Sequence, residues 1–574
     1  ANQLEMDSLQ QVIQALLFYK GLFYNLDHHA TFMAIRMDDE VLTSEFRKIK
    51  IDQVIQEASE FENQTGLETY YSGIPYIRTT NSEKIKTEIK VFSVVAILVT
   101  SLFLLIFFRS LYAVIFPLTV IVIVIITSFG TIELLDYRIT TLTGLIPPLI
   151  TIIGVPNFIY FLNKYHNEYH KHGHKMLAIT RMVQKLGVVI FLTNVTTAIG
   201  FGVLYFTDSP ILKEFGLVTS INVLATFVVS LIVIPVIFSL LPSPSRSQTK
   251  YLQNPLMKAT INRISQLVSH YRPVVYVSFL LIGIAAMIGI TQLNAVGYIL
   301  DDLPEKTKYP DTSSFLRNLQ KINQLQDSIE NYPEFAKTLS MVDFVKFAKQ
   351  AYYNGNPNKF ELPSRRERSF ISPYLNTIND SAGLAMKMVD SNRQIARIST
   401  KIEDAGSVVL RKRVNQLQQA ADNIFTQDAT KVNFTGQSLI FLKSNQYLIK
   451  SLIYSLSLAF ILISIIMGLL FVKVRMIIIS LIPNFIPLLL TAGIMGFAGI
   501  SLKPSTVLVF SIAFGISVDD ALHFLVKYRQ ELKNHNWNIQ KTVDVSLRET
   551  GVSMIYTSLV LFFGFTIFLF SSFA

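Results

Sequence analysis

The stretch GISVDDALHFLVKYR, residues 515–529, ends a long apolar run and sets two adjacent carboxylates, Asp519 and Asp520, among residues that belong in lipid. A charge near the centre of a bilayer is costly, so acids inside a membrane segment face protein or water and mark function. The stretch closes on FLVKYR (524–529), and FLNKYH stands 363 residues earlier, at 161–166. Outward from that match, TYYSGIPYIRTTNSEKIKTEIKVFS (69–93) resembles VNFTGQSLIFLKSNQYLIKSLIYSL (432–456), pairing Gly73 with Gly436 at the same offset. An offset of 366 pairs Arg109, Pro117 and Gly130 with Arg475, Pro483 and Gly496. Self-similarity of this kind marks a tandem duplication.

Of the 574 residues, 51% are hydrophobic and only 16% charged, with a mean hydropathy of +0.41, outside the range of soluble domains. Apolar segments long enough to cross about 30 Å of hydrocarbon fall at 91–108, 111–132, 139–162, 186–206, 215–241, 273–292, 451–472, 476–502, 504–526 and 551–574. The absence of cysteine excludes disulfides, thiolate chemistry and cysteine-based zinc sites. The chain opens on the polar ANQLEMDSLQQVIQ and stops at FSSFA, which suggests a piece of a longer protein. A helix before residue 1 and another after residue 574 would complete two sets of six, and the match of FTDSP (206–210) with FSSFA (570–574) puts the end at the turn before the last.

The net charge of +11 concerns orientation, not nucleic acid. Residues 243–272 carry Arg246, Lys250, Lys258, Arg263 and Arg272 with no acid, and 163–186 carries five basic residues against Glu168 alone. The positive-inside rule makes both cytoplasmic and puts 1–87 and 293–445 outside. In those outside segments ATFMAIRM (30–37) alternates as a strand, 44–63 reads as an amphipathic helix and ETYYSG (68–73) as a second strand. QIARISTKI (394–402), a helix at 407–424 and KVNFTG repeat that order, which suits a split β-α-β sandwich. Residues 312–350 add a helical insertion and 353–368 an exposed loop.

With the duplication, the two outside domains and the G-x-x-x-D-D pattern of Gly515, Asp519 and Asp520 in place, the chain resembles the resistance-nodulation-division (RND) superfamily. The likeness is nearest to its MmpL and hopanoid-exporter branch and extends to Patched and the sterol-sensing-domain proteins. The resemblance implies an α-helical polytopic membrane protein of two repeated six-helix halves with two α+β ferredoxin-like periplasmic domains. It divides the chain into a first porter domain (1–87), membrane helices with a sterol-sensing-domain likeness (88–242), a cytoplasmic linker (243–272), one helix (273–292), a second porter domain (293–445) and four further helices (446–574). The second loop is too short for the channel-docking region of multidrug pumps of the AcrB type. The implied activity is export of lipids or other hydrophobic molecules, driven by protons, from the bacterial inner membrane; the implied protein is no enzyme. Its expected partners are membrane lipids, a hydrophobic substrate and a periplasmic or outer-membrane protein. A SecDF-like auxiliary of protein export and a non-pumping lipid sensor or scaffold are the alternatives.

Two neighbouring acids in low dielectric cannot both ionise cheaply, so Asp519 and Asp520 are expected to titrate as a coupled proton relay. His523, four and three residues on, stands where it can share the proton. The repeat sets Pro156 and Asn157 where the second half has its acids; Asn157 can hydrogen-bond a carboxylate, and Pro156, with Pro147 and Pro148, can bend the helix. Asn157, Tyr160, Asn194, Tyr556, Thr557 and Ser558 are expected to support the relay, and Thr193, Thr196, Thr197 and Ser553 to line a water path or pack between helices. The cluster YHNEYHKHGHK (165–175) offers His166, His170, His172 and His174, but without the context of a metal motif it reads as a solvated connector. No G-x-x-x-x-G-K-[ST] phosphate loop is present, so direct ATP coupling is not expected, and no Ser-His-Asp set emerges; with the carboxylate pair, protons are the expected coupling ion, and no cofactor or metal is expected.

Overall fold

The computed structural model describes residues 3–22, 24–25, 30–44, 46–137, 140–249, 255–293, 303–308, 314–364, 366–371, 388–389, 395–403, 406–426, 430–471, 474–500, 502 and 504–570. Among the described residues ten helices are long and apolar enough to cross a membrane. They are α1 Ile74–Phe108, α2 Tyr112–Leu134, α3 Ile146–His172, α4 Lys175–Gly202, α5 Pro210–Leu240, α6 Arg272–Ile290, α7 Gln437–Phe471, α8 Val474–Phe497, α9 Pro504–Asn534 and α10 Ile539–Thr566.

The duplication is visible in these bounds. Helices α1 and α7 are both 35 residues long and start and stop 363 residues apart. Each is preceded by a glycine at positive φ, 116° at Gly73 and 134° at Gly436, a backbone conformation that strains residues with a Cβ. At 1.5 Å per residue these helices run to roughly 52 Å, so both project beyond about 30 Å of hydrocarbon. Helices α4 and α10 are both 28 residues long, 364 apart. Pro147 and Pro148 lie in the first turn of α3, where a missing N–H costs nothing; they open the helix instead of bending it, and only Pro156 lies inside.

Residues 37–294 and 448–574 form one compact unit, and 1–36 with 295–447 another. Within the first, α3 is enclosed on every side, with Val155, Phe158, Ile159 and Phe161 all buried, as expected of a helix that is apolar all round. By contrast α6 buries only Ala286 and Gly289. In the second unit β1 Leu303–Lys308 is the centre of a three-stranded sheet, antiparallel to both β2 Ile395–Thr400 and β3 Lys431–Asn433. The alternation of IARIST buries Ala396, Ile398 and Thr400; Ala396 and Ile398 join one core with Leu325 and Ile329 of helix Ser314–Glu330 and Leu417 and Ala421 of helix Gly406–Ile424. Since β2 and β3 run the same way on either side of β1 and are joined through the helix Gly406–Ile424, this is a split β-α-β crossover.

The strands expected in the first half differ. At 30–37 only Ala30–Thr31 pairs, with Tyr24–Asn25, since that partner offers only two residues. Residues 68–73 form no strand: the amide and hydroxyl of Thr69 both donate to the Glu62 carboxylate, at 2.6 and 2.5 Å, so a side chain of helix Phe46–Thr65 takes the place of a sheet partner. The expected loop at 353–368 is anchored, because buried Lys349 pairs with both Glu361 and Glu367 at 3.0 Å.

Candidate functional site

Asp519 lies at the midpoint of α9. Neighbouring helix positions diverge by about 100°, and the two acids accordingly meet different helices. Asp520 faces α3 and α10: Tyr160 donates its hydroxyl to Oδ1 at 2.7 Å, Thr557 to Oδ1 at 3.3 Å and Ser558 to Oδ2 at 3.3 Å. Asp519, 16% exposed, lies on the side of α9 towards α4, and its Oδ1 lies 3.4 Å from Nε2 of buried His523. Among the described residues neither of those two buried atoms has a hydrogen-bond partner, so the pair is in proximity without a formed hydrogen bond. The His523 ring stacks on Tyr160 at 3.5 Å between centroids and 12° between planes.

This arrangement follows from the repeat. Tyr160 and His523 are the same position of the two halves, 363 apart, and they meet face to face where α3 and α9 cross. Asn157 is the counterpart of Asp520, and, with the 364 offset of the next helix, Asn194 is the counterpart of Ser558. Asn157 does not reach the acids, contrary to expectation: it exchanges two hydrogen bonds with Asn194, at 3.1 and 3.2 Å. The reason is that the repeat preserves the pairing of a helix with its successor, so Asn157 finds Asn194 as Asp520 finds Ser558. Tyr556 points elsewhere, its ring stacked on Phe107 at 4.2 Å. Gly515 has a packing task. A Cβ on Gly200 of α4 would stand 2.8 Å from the Gly515 Cα, and Thr197 donates to the Gly515 carbonyl at 3.2 Å; side chains here would push Asp519 away from α4.

Thr193 and Ser553 were legible as polar residues in apolar helices, whereas the continuation of the site was not. A cavity of about 60 Å³ runs from Tyr160 and His523 past Asn163 and Ser553, which are hydrogen-bonded to each other, to Lys164, Lys527 and Glu549. That is polar space enough for a few waters. The signal available for it was the match of FLNKYH with FLVKYR, which pairs Lys164 with Lys527.

The histidine cluster is divided. His166 is buried against Phe108, not solvated, because its helix face turns inward with Tyr165 and Leu162. His174 caps α4 by accepting from the Leu177 amide at 3.3 Å. His172 lies 3.6 Å from Glu168. No group of three or more potential metal ligands is gathered among the described residues. The two carboxylates, with a hydroxyl shell on one and a histidine beside the other, can hold a proton between helices of different repeats and release it when those helices shift.

Residues 1–269 and 313–574 match the family model described as the MMPL family. A putative membrane protein of Methanocaldococcus jannaschii is 27% identical over 185 residues, 32% of this chain and 48% of that protein. Among solved structures, SecDF, a translocon-associated membrane protein from Thermus thermophilus, has a TM-score of 0.53 at 12% identity, over 86% of this chain and 58% of that one. At that identity the likeness is one of fold. The chain spans about half the length of the curated relative and less than two thirds of the solved structure. Because the family match extends over both repeats, this multi-pass membrane protein belongs to the MMPL family.

Proposed function

We propose that the protein is a proton-driven transporter that moves a lipid or another hydrophobic molecule across or out of the cytoplasmic (inner) membrane, with Asp519, Asp520 and His523 as its proton relay. The observation that carries this reading is the pair of carboxylates at the midpoint of α9, one bound by Tyr160 of the other repeat and the other beside His523. A buried carboxylate between two movable halves converts protonation into a change of helix attraction. In this reading the sheet-bearing unit is a ferredoxin-like porter domain on the periplasmic face, and the basic connectors 163–186 and 243–272 lie in the cytoplasm. Periplasmic or outer-membrane proteins would receive the substrate.

The test is proton flux into proteoliposomes under an imposed gradient, read by a lumenal pH dye. The Asp519→Asn, Asp520→Asn double variant should fall to the level of empty liposomes, since amides keep the shape and lose the proton. Flux equal to wild type in that variant overturns the relay. Mass spectrometry of lipids that purify with the protein addresses the cargo. A second reading, a proton-driven auxiliary of protein export, draws on the fold shared with translocon-associated SecDF. A deletion strain that accumulates unsecreted protein while its lipids stay in place would favour it.

A further inference from the structure

A second cavity, of about 50 Å³, lies where α2 begins and α5 ends, and the relay does not use it. Tyr165 and His166 of α3 line it, both 4% exposed, together with the apolar side chains of Leu162, Phe238 and Leu241. Tyr165 comes five residues after Tyr160, which turns it roughly 140° away around α3, so the cavity and the carboxylates lie on different sides of that helix. The Tyr165 ring stacks on Phe238 at 4.7 Å between centroids. Its hydroxyl is buried and has no hydrogen-bond partner among the described residues, whereas a buried phenol normally finds one. At the rim Gln248 donates to the Ser110 hydroxyl at 3.1 Å, tying the chain that follows α5 to the turn that precedes α2.

The two halves build this place differently. At the 363 offset Tyr165 and His166 correspond to Tyr528 and Arg529, and Arg529 is exposed and donates to the Leu470 carbonyl near the end of α7. Where the second half sets a cation on the end of a neighbouring helix, the first half buries an imidazole beside a cavity. Among the described residues that line it there is no lysine, arginine or carboxylate. Lys175, which reaches the same end of α5, donates to the carbonyls of Ser239, at 2.6 Å, and of Leu241. The lining therefore offers hydroxyls, an amide and an imidazole in apolar walls, and no charge to meet an ion. The cavity reaches the surface at Tyr112, 49% exposed, a residue type that favours the membrane-water interface. The neighbouring Leu111 and Leu240 are exposed as well, an apolar rim that suits acyl chains.

We propose that this cavity is a binding site for the hydroxyl head of an uncharged lipid, a lipid alcohol of the diacylglycerol kind, whose acyl chains lie outside along α2 and α5. The lipid hydroxyl exchanges a hydrogen bond with the Tyr165 hydroxyl and so gives that buried group its partner. A phosphate head is the wrong occupant, because burying a charge with no counter-charge costs far more than burying a hydroxyl that is hydrogen-bonded. The site stands apart from the carboxylates and does not depend on proton coupling.

The test uses the whole chain in phosphatidylcholine nanodiscs with a diacylglycerol probe that carries a photoreactive diazirine near its head. Crosslinked peptides, identified by mass spectrometry, should fall on 110–113 and 238–244. An excess of dioleoylglycerol should remove them, and its acetylated counterpart, in which the hydroxyl is blocked, should not. Tyr165→Phe keeps the stack on Phe238 and should cut the labelling about fivefold, the scale of one neutral hydrogen bond. Should that variant fail to fold, the competition on the unaltered chain decides alone. Labelling spread evenly over the lipid-facing helices, or removed equally by the acetylated lipid, overturns the site and leaves a cavity that holds water. Stronger competition by dioleoylphosphatidylglycerol than by dioleoylglycerol overturns the uncharged head, and full labelling of a folded Tyr165→Phe overturns the part given to its hydroxyl.

Discussion

Tyr160 joins the repeats with a single hydrogen bond, 2.7 Å long, to a carboxylate in the middle of the bundle. Removing one partner of a charge-assisted hydrogen bond typically costs about 1.5–3 kcal/mol, so Tyr160→Phe, which keeps the stack on His523, should slow proton flux roughly tenfold or more, about 1.4 kcal/mol per decade. Flux at wild-type rate would show that the bond is incidental. The Asn157–Asn194 exchange carries no charge, and its loss is one of stability. Asn157→Ala leaves the buried Asn194 amide short of partners and should lower stability by about 1–3 kcal/mol, seen as a lower unfolding temperature in detergent. The acids, the histidine and the asparagine were all legible as residues, since polar groups in lipid are conspicuous. Which of them touch was not, because a contact between α3 and α9 depends on how the repeats face each other.

Between helices, the two halves use the same glycine position unequally. A Cβ at Gly200 would meet backbone, the Gly515 Cα at 2.8 Å, whereas its counterpart Gly564 faces the Ile152 side chain at 3.1 Å. Side chains rotate away and backbones do not, so Gly200→Ala should destabilise by about 1–3 kcal/mol and Gly564→Ala by less. Comparing their unfolding temperatures decides it; equal losses would contradict the asymmetry. In the sheet-bearing unit, Glu367 anchors 353–368. The Ser364 amide and hydroxyl, with Lys349, hold its carboxyl down to about 2 from an ordinary 4.5. A lowered folded value means the anchor is in full force above about pH 4.5 and is lost as pH falls towards 2. Amide exchange across 353–371 should rise in that window, and Glu367→Gln should abolish the change. This anchor was not readable beforehand: a loop with glycine, proline and asparagine looks exposed until its two glutamates are seen on a buried lysine.

For the whole molecule, orientation is the open prediction. With the basic connectors inside, Asn358→Cys should react with an impermeant thiol reagent in intact cells and Lys258→Cys only after permeabilisation; the reverse pattern inverts the topology. The sequence by itself determined ten apolar helices, the duplication and the split β-α-β order of the segment before α7, because hydropathy, periodicity and a fixed offset are properties of the chain alone. It also identified the carboxylate pair, since a charge in lipid is informative wherever it lies. Only the tertiary structure decided that Tyr160 meets His523, that Asn157 turns to Asn194, and that Glu549 bridges the repeats below the acids, pairing with Lys164 at 3.6 Å as well as with Lys527 at 2.7 Å. Those contacts depend on the rotation and approach of helices, set by packing at places such as Gly200 and Gly515, and the spacing of residues along a chain does not encode the angle at which two helices meet.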